Sequence, residues 1–586
     1  MVDVTSTEHA QRLSVVTGPP LCDEAGLGSL TLPGFLREVT QTYGEREAVV
    51  WRSADSVMRW TYAQLWERAM EVARALRGCR LGKGARVGVL MTNRPEWLAA
   101  VFGTSLAGGV AVTLSTFSTP SELDYLIRTS AISVLLFERR VLAKDFAAIL
   151  AELEPAISTP RPEALQSAKY PYLRQLAAVG APEHGIEAWN EFLASGHTEP
   201  REPVEAAAAA VLPSDAAVLF FSSGSTSKPK GVLNSHRGVC IQLWRFRRMY
   251  GFNPQDHVRG WTANGFFWSG NFAMVLGSTL ASGGALVLQS TFDAADALEL
   301  MQAERVNFPF AWPHQWAQLE SAPNWRRVDL SSVKFVDFKT PIAHHRTVSS
   351  EWYEPGHAYG NTETFTITTG YPANTAPEVH AESFGEALPG VTLKIVDPLT
   401  DDIVSRGQAG EIRVKGPTLM LGYIGTPLDE TLDRDGFFPT GDGGYLDDIG
   451  RLYWQGRLTD IIKTGGANVS PREVDEALYE HSGVKLATTV GVPHQTLGEV
   501  VVSCVVAHNN VILDAKQLLA FLRERLASYK VPRHVLFFRE DEVAVTGSAK
   551  IKTGEIRQLA AKRLAGDWAD TSPDVTVEPA DQPDSK

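Results

Sequence analysis

The sequence predicts an α/β protein with a large N-terminal α/β domain and a small α+β C-terminal domain. Two patterns support this fold class. Apolar runs of strand length alternate with helical periodicity through most of the chain, as in parallel βα units. From about residue 457 the order changes to hairpin strands, a helix, a strand pair and a second helix. We therefore predict domains over residues 1–456 and 457–586, the second ending in a disordered acidic tail.

The composition is typical of a folded globular protein. The chain has 586 residues, of which 44% are hydrophobic and 21% charged, which excludes wholesale disorder and collagen-like or coiled-coil architectures. Its net charge of −13 gives no overall electrostatic attraction to nucleic acid or to an anionic membrane. The four cysteines lack the spacing of a zinc site or disulfide framework, and no apolar run approaches a membrane span. These features predict a cytoplasmic protein with neither a nucleic-acid nor an integral-membrane partner.

Individual elements follow in order along the chain. Thr61 and Gln64 have the spacing of a capping box, so we expect a helix to begin near residue 62. The apolar run from Val87 to Met91 has the length of a strand. Residues 1 to about 25 lack periodicity and predict a loose N-terminus, and residues 150–215 are interpreted as a surface excursion of the large domain.

A hydroxyl- and glycine-rich loop follows a strand-like apolar run in residues 217–231, AVLFFSSGSTSKPKG. Such a loop can present backbone N–H groups, hydroxyls and an ammonium to one anion, as a phosphate cradle does. It does not match the Walker phosphate-binding motif. Taken alone, a segment of this composition is more typical of a flexible Ser/Gly turn.

Further motifs decide between these interpretations. YGNTE stands at 359–363, GEI at 410–412 with GY at 422–423, PTGD at 439–442, GRLTDIIKTGGANVSPREVD at 456–475 and TGSAKI at 546–551. In content and order they resemble the signatures of the adenylate-forming superfamily, which includes acyl-CoA synthetases, firefly luciferase and adenylation domains of nonribosomal peptide synthetases. The resemblance covers residues 30 to about 560 and is to the acyl-CoA ligase branch.

The resemblance implies an enzyme that uses ATP, Mg²⁺ and coenzyme A. The acid attacks the α-phosphate of ATP, pyrophosphate leaves, and the acyl group passes from AMP to a thiol. Catalysis of such a reaction depends on positive groups that face the developing negative charge. The positions implied to bind nucleotide, phosphate or coenzyme A are Ser222, Ser223, Gly224, Ser225, Thr226, Lys230, Tyr359, Asp442, Arg457, Lys463 and Gly466.

Roles follow from the matched motifs. Thr362 and Glu363 match positions that meet the α-phosphate and Mg²⁺, and Lys550 matches the lysine that lies between carboxylate and α-phosphate. Outside its motif, a lysine near the C-terminus would be an ordinary surface group. The resemblance further implies a C-terminal domain that rotates between half-reactions, with Thr459 at the hinge. Rotation would then expose the hairpin of Lys463 and Gly466 to the pantetheine arm.

Three positions and one segment depart from the family pattern. Ala549 and Ser227 replace glycines, Thr459 replaces a charged residue, and VDFKTP at 336–341 replaces a Gly-Gly-Ala segment. If the left-handed backbone conformation of the family's glycine is needed here, Ala549 costs about 1 to 2 kcal/mol, or the loop that carries Lys550 shifts. The departures at Ala549 and Ser227 concern the ATP-dependent step and leave thioester formation unaffected.

The acyl pocket is predicted from the aromatic segment WTANGFFWSGN at 261–271. Phe267 matches the position beside the thiol tunnel, and Trp268, Phe338 and Gly360 complete the predicted pocket. The alternative is that these rings are ordinary core. The aromatic content favours a bulky alicyclic, aryl or terpenoid acid, of the kind found in secondary metabolism.

We therefore expect an acyl-CoA ligase that converts a bulky hydrophobic carboxylic acid to its CoA thioester through an acyl-adenylate. One alternative is a ligase with impaired adenylation, which mainly thioesterifies a supplied acyl-adenylate. A second loads a carrier protein instead of coenzyme A. Luciferase-type oxidation is disfavoured, and a non-catalytic acyl-nucleotide binder is the alternative from another class. The sequence does not define the acid or the oligomeric state.

Overall fold

The computed structural model of the protein describes residues 13–53, 56–159, 164–180, 185–222, 229–354, 357–380, 383–464, 467–494, 497–508, 511–526, 530–543 and 553–570. The chain divides into two compact units. The large unit comprises Met1–Thr440 and Tyr445–Tyr453, and the small unit comprises Gly441–Gly444 and Trp454–Lys586. The mixed α/β class is confirmed. The boundary predicted at 456/457 stays a prediction.

An eight-stranded sheet forms the centre of the large unit. Its order is Glu187–Ala188, Gln175–Val179, Ile132–Glu138, Arg86–Leu90, Val110–Thr113, Ala216–Ser222, Lys230–Ser235 and Gly422–Tyr423. The first six strands are parallel and the last two pairings are antiparallel. The buried faces of these strands explain their near-continuous apolar runs.

A second sheet of the large unit has the order Phe308–Phe310, Arg259–Thr262, Ala285–Leu288, Glu47–Arg52 and Val57–Thr61. Its first four strands are parallel, so their carboxyl ends meet at one edge. Loops at such an edge are where ligands bind in open α/β sheets. A third sheet has the strand order Val15–Thr17, Thr392–Val396, Gly410–Lys415, Phe438–Leu446 and Leu452–Arg457. The chain passes from one unit to the other within the last two of these strands.

Helices cover the two parallel sheets. Those of the large unit with seven or more residues are Leu32–Tyr43, Tyr62–Gly78, Pro95–Leu106, Pro120–Ser130, Phe146–Leu153, Trp189–Ser195, Arg201–Ala209, His236–Met249, Ala294–Ala303 and Pro313–Glu320. The predicted capping box is confirmed, since the Gln64 N–H donates to Thr61 Oγ1 and the Thr61 N–H donates to Gln64 Oε1. The predicted strand from Val87 to Met91 is observed as Arg86–Leu90.

The small unit is α+β. The long antiparallel pair Val484–His494 and Gly498–Ala507 forms its centre and extends to Ile462–Thr464, Ala467–Val469 and the parallel strand His534–Phe537. Helices Pro471–Tyr479 and Ala515–Arg523 contribute to one apolar cluster against this sheet, and helix Thr553–Asp570 contributes to another. Two buried clusters give this unit a core of its own.

Two predictions about local order were wrong. Within the predicted loose N-terminus, Val15–Thr17 pairs with Thr392–Val396, and Glu24 is fully buried against Arg245. Within residues 150–215, Gln175–Val179 is a buried strand in register with Ile132–Glu138. Both errors arise because very short segments gain their order from distant partners rather than from local periodicity. The predicted acidic tail lies outside the described residues.

In the part of the chain that the structure describes, we find no helix with both the length and the apolar character that crossing a bilayer requires.

The buried ion pair of the N-terminal segment generates one prediction. Both side chains of the Glu24–Arg245 pair have no exposed surface, and Glu24 also accepts from Arg248. Glu24→Gln leaves the Arg245 charge uncompensated and should destabilise the large unit by about 3 to 5 kcal/mol. Urea denaturation measures this change.

The exposed pair Arg201–Glu67 supplies the control, since Glu67→Gln should alter stability by less than about 1 kcal/mol. Equal effects of the two substitutions would contradict a structural role for Glu24.

A pH-dependent stability is predicted for the small unit. Burial raises the pKa of Asp475 from 3.8 to about 7, although hydrogen bonds from Thr489 act in the opposite direction. Because the folded state holds the proton more tightly than the unfolded state, this stabilisation is complete below about pH 4 and is lost as the pH rises through about 7. Asp475→Asn should flatten the dependence.

Alkylation of the buried Cys504 thiol, normalised to an unfolded peptide at each pH, reports the opening of this unit. Glu524→Gln, at an exposed position of the same unit, is the control and should retain the wild-type pH profile. A flat profile in the wild-type protein would exclude the protonation of Asp475.

Candidate active site

The predicted phosphate loop lies at the end of a β-hairpin. Ser222, the last residue of strand Ala216–Ser222, pairs with Lys230, the first residue of strand Lys230–Ser235. The hairpin therefore holds two predicted phosphate-binding residues opposite each other. The other predicted members, Ser223, Gly224, Ser225 and Thr226, lie outside the described residues together with Ser227.

Glu363 lies beside this hairpin. Its carboxylate oxygen Oε1 accepts a hydrogen bond of 2.7 Å from the Tyr423 hydroxyl and lies 3.5 Å from the Ser222 hydroxyl. The Lys230 ammonium lies 4.8 Å from the centroid of the Tyr423 ring. A carboxylate, two hydroxyls and an ammonium are thus gathered from three separate motifs of the sequence.

Sheet register explains why Tyr423 reaches this position. The short edge strand Gly422–Tyr423 pairs antiparallel with strand Lys230–Ser235, and Tyr423 lies opposite Val232. The sequence interpretation quoted the GY motif but assigned Tyr423 no role. The sequence feature that could have identified Tyr423 was its place within a matched motif. Its contact with Glu363 could not be predicted, because it depends on pairing between segments that are far apart in the sequence.

The turn that carries Glu363 requires glycine at position 360. A Cβ atom at Gly360 would lie 1.6 Å from the Thr366 carbonyl oxygen, far inside van der Waals contact. Phe365 and Thr366 both have positive φ, of 46° and 84°, so the chain reverses sharply here. Gly360 was predicted to line the acyl pocket, and the structure gives it this additional backbone role.

Several contacts hold the turn in place. The Asn361 side chain accepts from the Thr364 N–H at 3.0 Å and caps the helical turn Thr362–Thr364. The Phe365 ring packs 5.7 Å from Phe220 of the phosphate-loop strand, between ring centroids. The Met420 N–H donates to the Glu363 carbonyl at 2.7 Å. Thr362 is half-buried within this anchored turn.

Tyr359 is buried next to the turn. Its N–H donates to the Thr369 carbonyl at 3.2 Å, and its carbonyl accepts from the Thr368 N–H at 2.7 Å. These bonds define the backbone at this position. The predicted stacking of Tyr359 on adenine stays a prediction.

The aromatic residues of the predicted acyl pocket form two groups. Phe267 lies 5.4 Å from Trp268 and 5.9 Å from Phe117, which is 56% exposed, measured between ring centroids. Phe338 is 49% exposed and stacks on Tyr353 at 5.5 Å. Phe117 was absent from the sequence prediction because nothing local distinguishes it from a loop residue.

A pair of acidic residues supports the loop of Phe338. The Glu354 N–H donates to Asp337 Oδ2 at 3.0 Å, and the Lys339 N–H donates to Asp337 Oδ1 at 2.7 Å. Burial, assisted by the nearby Asp337 charge, raises the pKa of Glu354 to about 7. The segment that replaces the family's glycines is therefore a specific, hydrogen-bonded structure.

The predicted residues of the small unit include one close pair. Arg457 Nε lies 3.1 Å from Asp442 Oδ1, and the Asp442 side chain is almost fully buried. Thr459 and Lys463 are exposed, and the Lys463 N–H donates to Glu499 at 2.9 Å. The remaining predicted residues, Gly466, Ala549 and Lys550, lie outside the described residues.

The donor set is compatible with Mg²⁺. Among the described ranges of the chain, no three His, Cys, Asp or Glu side chains gather as a metal cluster. Mg²⁺ in phosphate sites commonly takes one or two carboxylates and completes its shell with phosphate oxygens and water. Glu363 supplies one such carboxylate and is the residue that would hold the cation.

Comparison with known proteins defines the class. Residues 36–424 match the AMP-binding enzyme family, and residues 473–550 match the AMP-binding enzyme C-terminal domain. The chain therefore belongs to the AMP-binding enzyme family of the adenylate-forming superfamily, and within it to the acyl-CoA ligases, which are acid–thiol ligases.

Individual relatives cover nearly the whole chain. A methyl-dioxo-octahydroindenyl-propanoyl:CoA ligase of Rhodococcus jostii is 30% identical over 546 residues, 90% of this chain and 98% of its own. A feruloyl-CoA synthase of an Amycolatopsis species is 32% identical over 511 residues, 85% of this chain and 93% of its own. The anthranilate CoA ligase AuaEII, solved with anthranoyl-AMP, shares the fold with a TM-score of 0.73 at 22% identity, covering 93% of this chain and 99% of that one.

The hydrogen bond between Tyr423 and Glu363 generates a prediction. Tyr423→Phe removes a donor to a charged acceptor, a contact worth about 1.5 to 3 kcal/mol, and should weaken MgATP binding by about tenfold or more. Calorimetry with MgATP, and with ATP in EDTA, separates the cation from the nucleotide. The loss should be larger when Mg²⁺ is present.

Tyr172→Phe, at an exposed position, is the matched control and should bind MgATP like the wild-type protein. If Tyr423→Phe weakens ATP binding equally with and without Mg²⁺, Tyr423 does not act through Glu363.

Proposed function

We propose that the protein converts a bulky hydrophobic carboxylic acid to its CoA thioester through an acyl-adenylate. The observation that carries this proposal is the cluster of Ser222, Lys230, Glu363 and Tyr423, in which three separate motifs converge on one carboxylate. Membership of the acyl-CoA ligases supports the same reaction class. Phe117, Phe267 and Trp268 supply the apolar surface for the acid.

Each group at the phosphate end has a defined task. The Ser222 hydroxyl and Lys230 ammonium would bind the β- and γ-phosphates together with the loop between them. The Glu363 carboxylate, oriented by the Tyr423 hydroxyl, would bind Mg²⁺, which neutralises charge on the phosphate oxygens. Positive groups in fixed positions lower the barrier because they need no reorganisation when the acid attacks.

Further residues that match family motifs belong to the small unit. We infer that the buried Asp442 carboxylate accepts from the ribose hydroxyls and that Arg457, 3.1 Å away, orients it. The family resemblance assigns Lys550 to the adenylation step and the segment of Lys463 and Gly466 to the thiol step. A lysine between carboxylate and α-phosphate screens the repulsion between two anions.

The size of the acid is inferred from the aromatic residues and from the relatives. The Phe267 ring has an exposed aromatic neighbour, Phe117, and such rings present broad apolar faces. Relatives are named for a methyl-dioxo-octahydroindenyl propanoyl group and for a feruloyl group, both of which contain rings. A cyclic or polycyclic acid is consistent with both lines of support.

A ligase with impaired adenylation is the second candidate. Ala549 and Ser227 replace glycines in the sequence, and Phe338 and Lys339 occupy the segment where the family has small residues. Phe338 is held by stacking on Tyr353, and the Lys339 ammonium lies 5.4 Å from the centroid of the same ring. Because Ala549 and Ser227 concern only the ATP-dependent step, they favour an enzyme that accepts an acyl-adenylate made elsewhere, whereas Phe338 and Lys339 would affect ATP and acyl-adenylate alike.

Separate assays of the two half-reactions test the proposal. ATP–pyrophosphate exchange measures adenylation, and thioester formation from supplied acyl-adenylate measures the second step. Lys550→Ala should reduce adenylation by about 100-fold or more and leave thioester formation little changed. Lys552→Ala, two residues further along the sequence, is the control and should alter neither rate.

The outcomes separate the candidates. Robust exchange in the wild-type protein excludes impaired adenylation, whereas thioester formation without exchange supports it. Transfer to a carrier protein but not to free coenzyme A supports the carrier-loading alternative. Acyl-adenylate binding without any turnover would leave a non-catalytic binder and would disprove the ligase.

A further inference from the structure

A cluster of buried amides lies beside the predicted acyl pocket. Asn264 follows strand Arg259–Thr262 at its carboxyl end, and Asn271 ends the next short helical turn. Asn264 is 9% exposed and Asn271 is 1% exposed. Buried amides normally satisfy their hydrogen-bonding atoms, so the bonds that these two make and lack are informative.

The orientation of the Asn264 amide is determined by its neighbours. The Trp312 backbone N–H can only donate, and it donates to Gln315 Oε1 at 2.9 Å. Gln315 Nε2 is therefore the end that donates to Asn264, at 3.1 Å, and the receiving atom must be Asn264 Oδ1. This leaves the Asn264 Nδ2 group without an acceptor among the described residues.

Asn271 repeats the arrangement. The Thr262 hydroxyl oxygen accepts from the Asn264 N–H at 3.1 Å, and the hydroxyl donates to Asn271 Oδ1 at 3.1 Å. The Asn271 Nδ2 group likewise finds no acceptor in the part of the chain that the structure describes. An unsatisfied buried donor costs about 1 to 3 kcal/mol, so two of them in one cluster favour an acceptor that comes from outside the chain.

The cluster lies where the two parallel sheets of the large unit meet. Asn93 follows strand Arg86–Leu90 of the eight-stranded sheet, and its Nδ2 donates to the Asn264 carbonyl at 2.8 Å. Its Oδ1 accepts from the Phe266 N–H at 2.9 Å, directly before Phe267. The carboxyl edges of both sheets are thereby joined, which is the position where open α/β sheets bind ligands.

The helix that follows Asn271 is also unusual. Residues Phe272–Gly277 form a π-helix, a rare geometry that is frequent at functional sites. Asn271 immediately precedes this segment and is 3.1 Å from Thr262. The backbone is therefore distorted at the point where one of the two donors is presented.

We propose that Asn264 and Asn271 donate hydrogen bonds to an oxygen atom on the apolar body of the acid. The acids preferred by this ligase then carry a ketone, ether or hydroxyl oxygen besides the reacting carboxylate, and their deoxygenated analogues are poor substrates. This inference rests on the proposed function. A carbonyl oxygen accepts hydrogen bonds and has no proton of its own to place, so a keto acid fits N–H donors best.

Matched pairs of acyl-adenylates test the inference without requiring the ATP step. One member of each pair is a cyclohexane- or decalin-carboxyl-adenylate, and the other carries a ketone at a ring position that varies between pairs. For at least one ring position, kcat/KM for thioester formation should be about tenfold or more higher for the keto compound than for its deoxygenated partner. The partner lacks the ketone oxygen and therefore leaves buried donors unpaired.

Variants identify the residues responsible. Asn264→Leu removes the donor and should abolish or reverse the preference, and Asn271→Leu should do the same if Asn264→Leu fails to fold. Asn324→Leu is the matched control. Asn324 is equally buried and donates to Ala295, so this substitution should lower stability but preserve the keto preference.

The failures of the two proposals are distinguishable. Equal kcat/KM for both members of every pair would show that the amides bind only a fixed water, which overturns the inference and leaves the ligase intact. A keto preference that survives both asparagine substitutions also overturns it. Absence of thioester from every adenylate would instead disprove the proposed function.

Discussion

The candidate site depends on the hydrogen bond from the Tyr423 hydroxyl to the Glu363 carboxylate. This bond links an edge strand of the central sheet to the turn that follows Tyr359. It exists only because two backbone conditions are met. Antiparallel pairing brings Tyr423 alongside the phosphate-loop hairpin, and Gly360 permits the turn that presents Glu363. The Tyr423–Glu363 hydrogen bond therefore forms only when both the edge of the sheet and the turn at Gly360 are correctly folded.

The large unit separates two kinds of recognition. Charged and hydroxyl groups gather around Glu363 at the end of the hairpin, where the Lys230 ammonium contacts the Tyr423 ring rather than a carboxylate. Among the described residues Lys230 forms no ion pair, so its charge is available to an anionic ligand. Aromatic rings and amides gather instead on the segment from Thr262 to Asn271. In the proposed function, different elements therefore bind the phosphates and the acid.

Local sequence patterns predicted much of this architecture. The capping box at Thr61 is a pattern within four consecutive residues, and the next strand along the chain is one apolar run, so both were found. The ordered motifs predicted the family because each is short and contiguous. The strand Gln175–Val179 was missed because an Ala-rich segment gains its order only by pairing with Ile132–Glu138.

Long-range contacts explain what else escaped prediction. Glu24 is buried because Arg245, more than two hundred residues away, neutralises it, and the position of Tyr423 depends on a sheet register. The donors of Asn264 and Asn271 become visible only when every neighbouring hydrogen bond has been assigned. Such features depend on which residues are neighbours in space and on which hydrogen bonds they make, and a local sequence pattern does not contain this information.

The crowding at Gly360 has an evolutionary consequence. Any side chain there collides with the Thr366 carbonyl, so this turn can accept almost no variation without losing its shape. The segment from Ala263 to Asn271 lies apart from this turn, and a Cβ atom at its Gly265 would meet the Phe267 side chain rather than backbone. In the proposed function this segment contacts the acid, so new acid preferences would arise by mutational drift there while the turn at Gly360 is inherited unchanged, and a single ancestral scaffold could diversify into ligases for different acids.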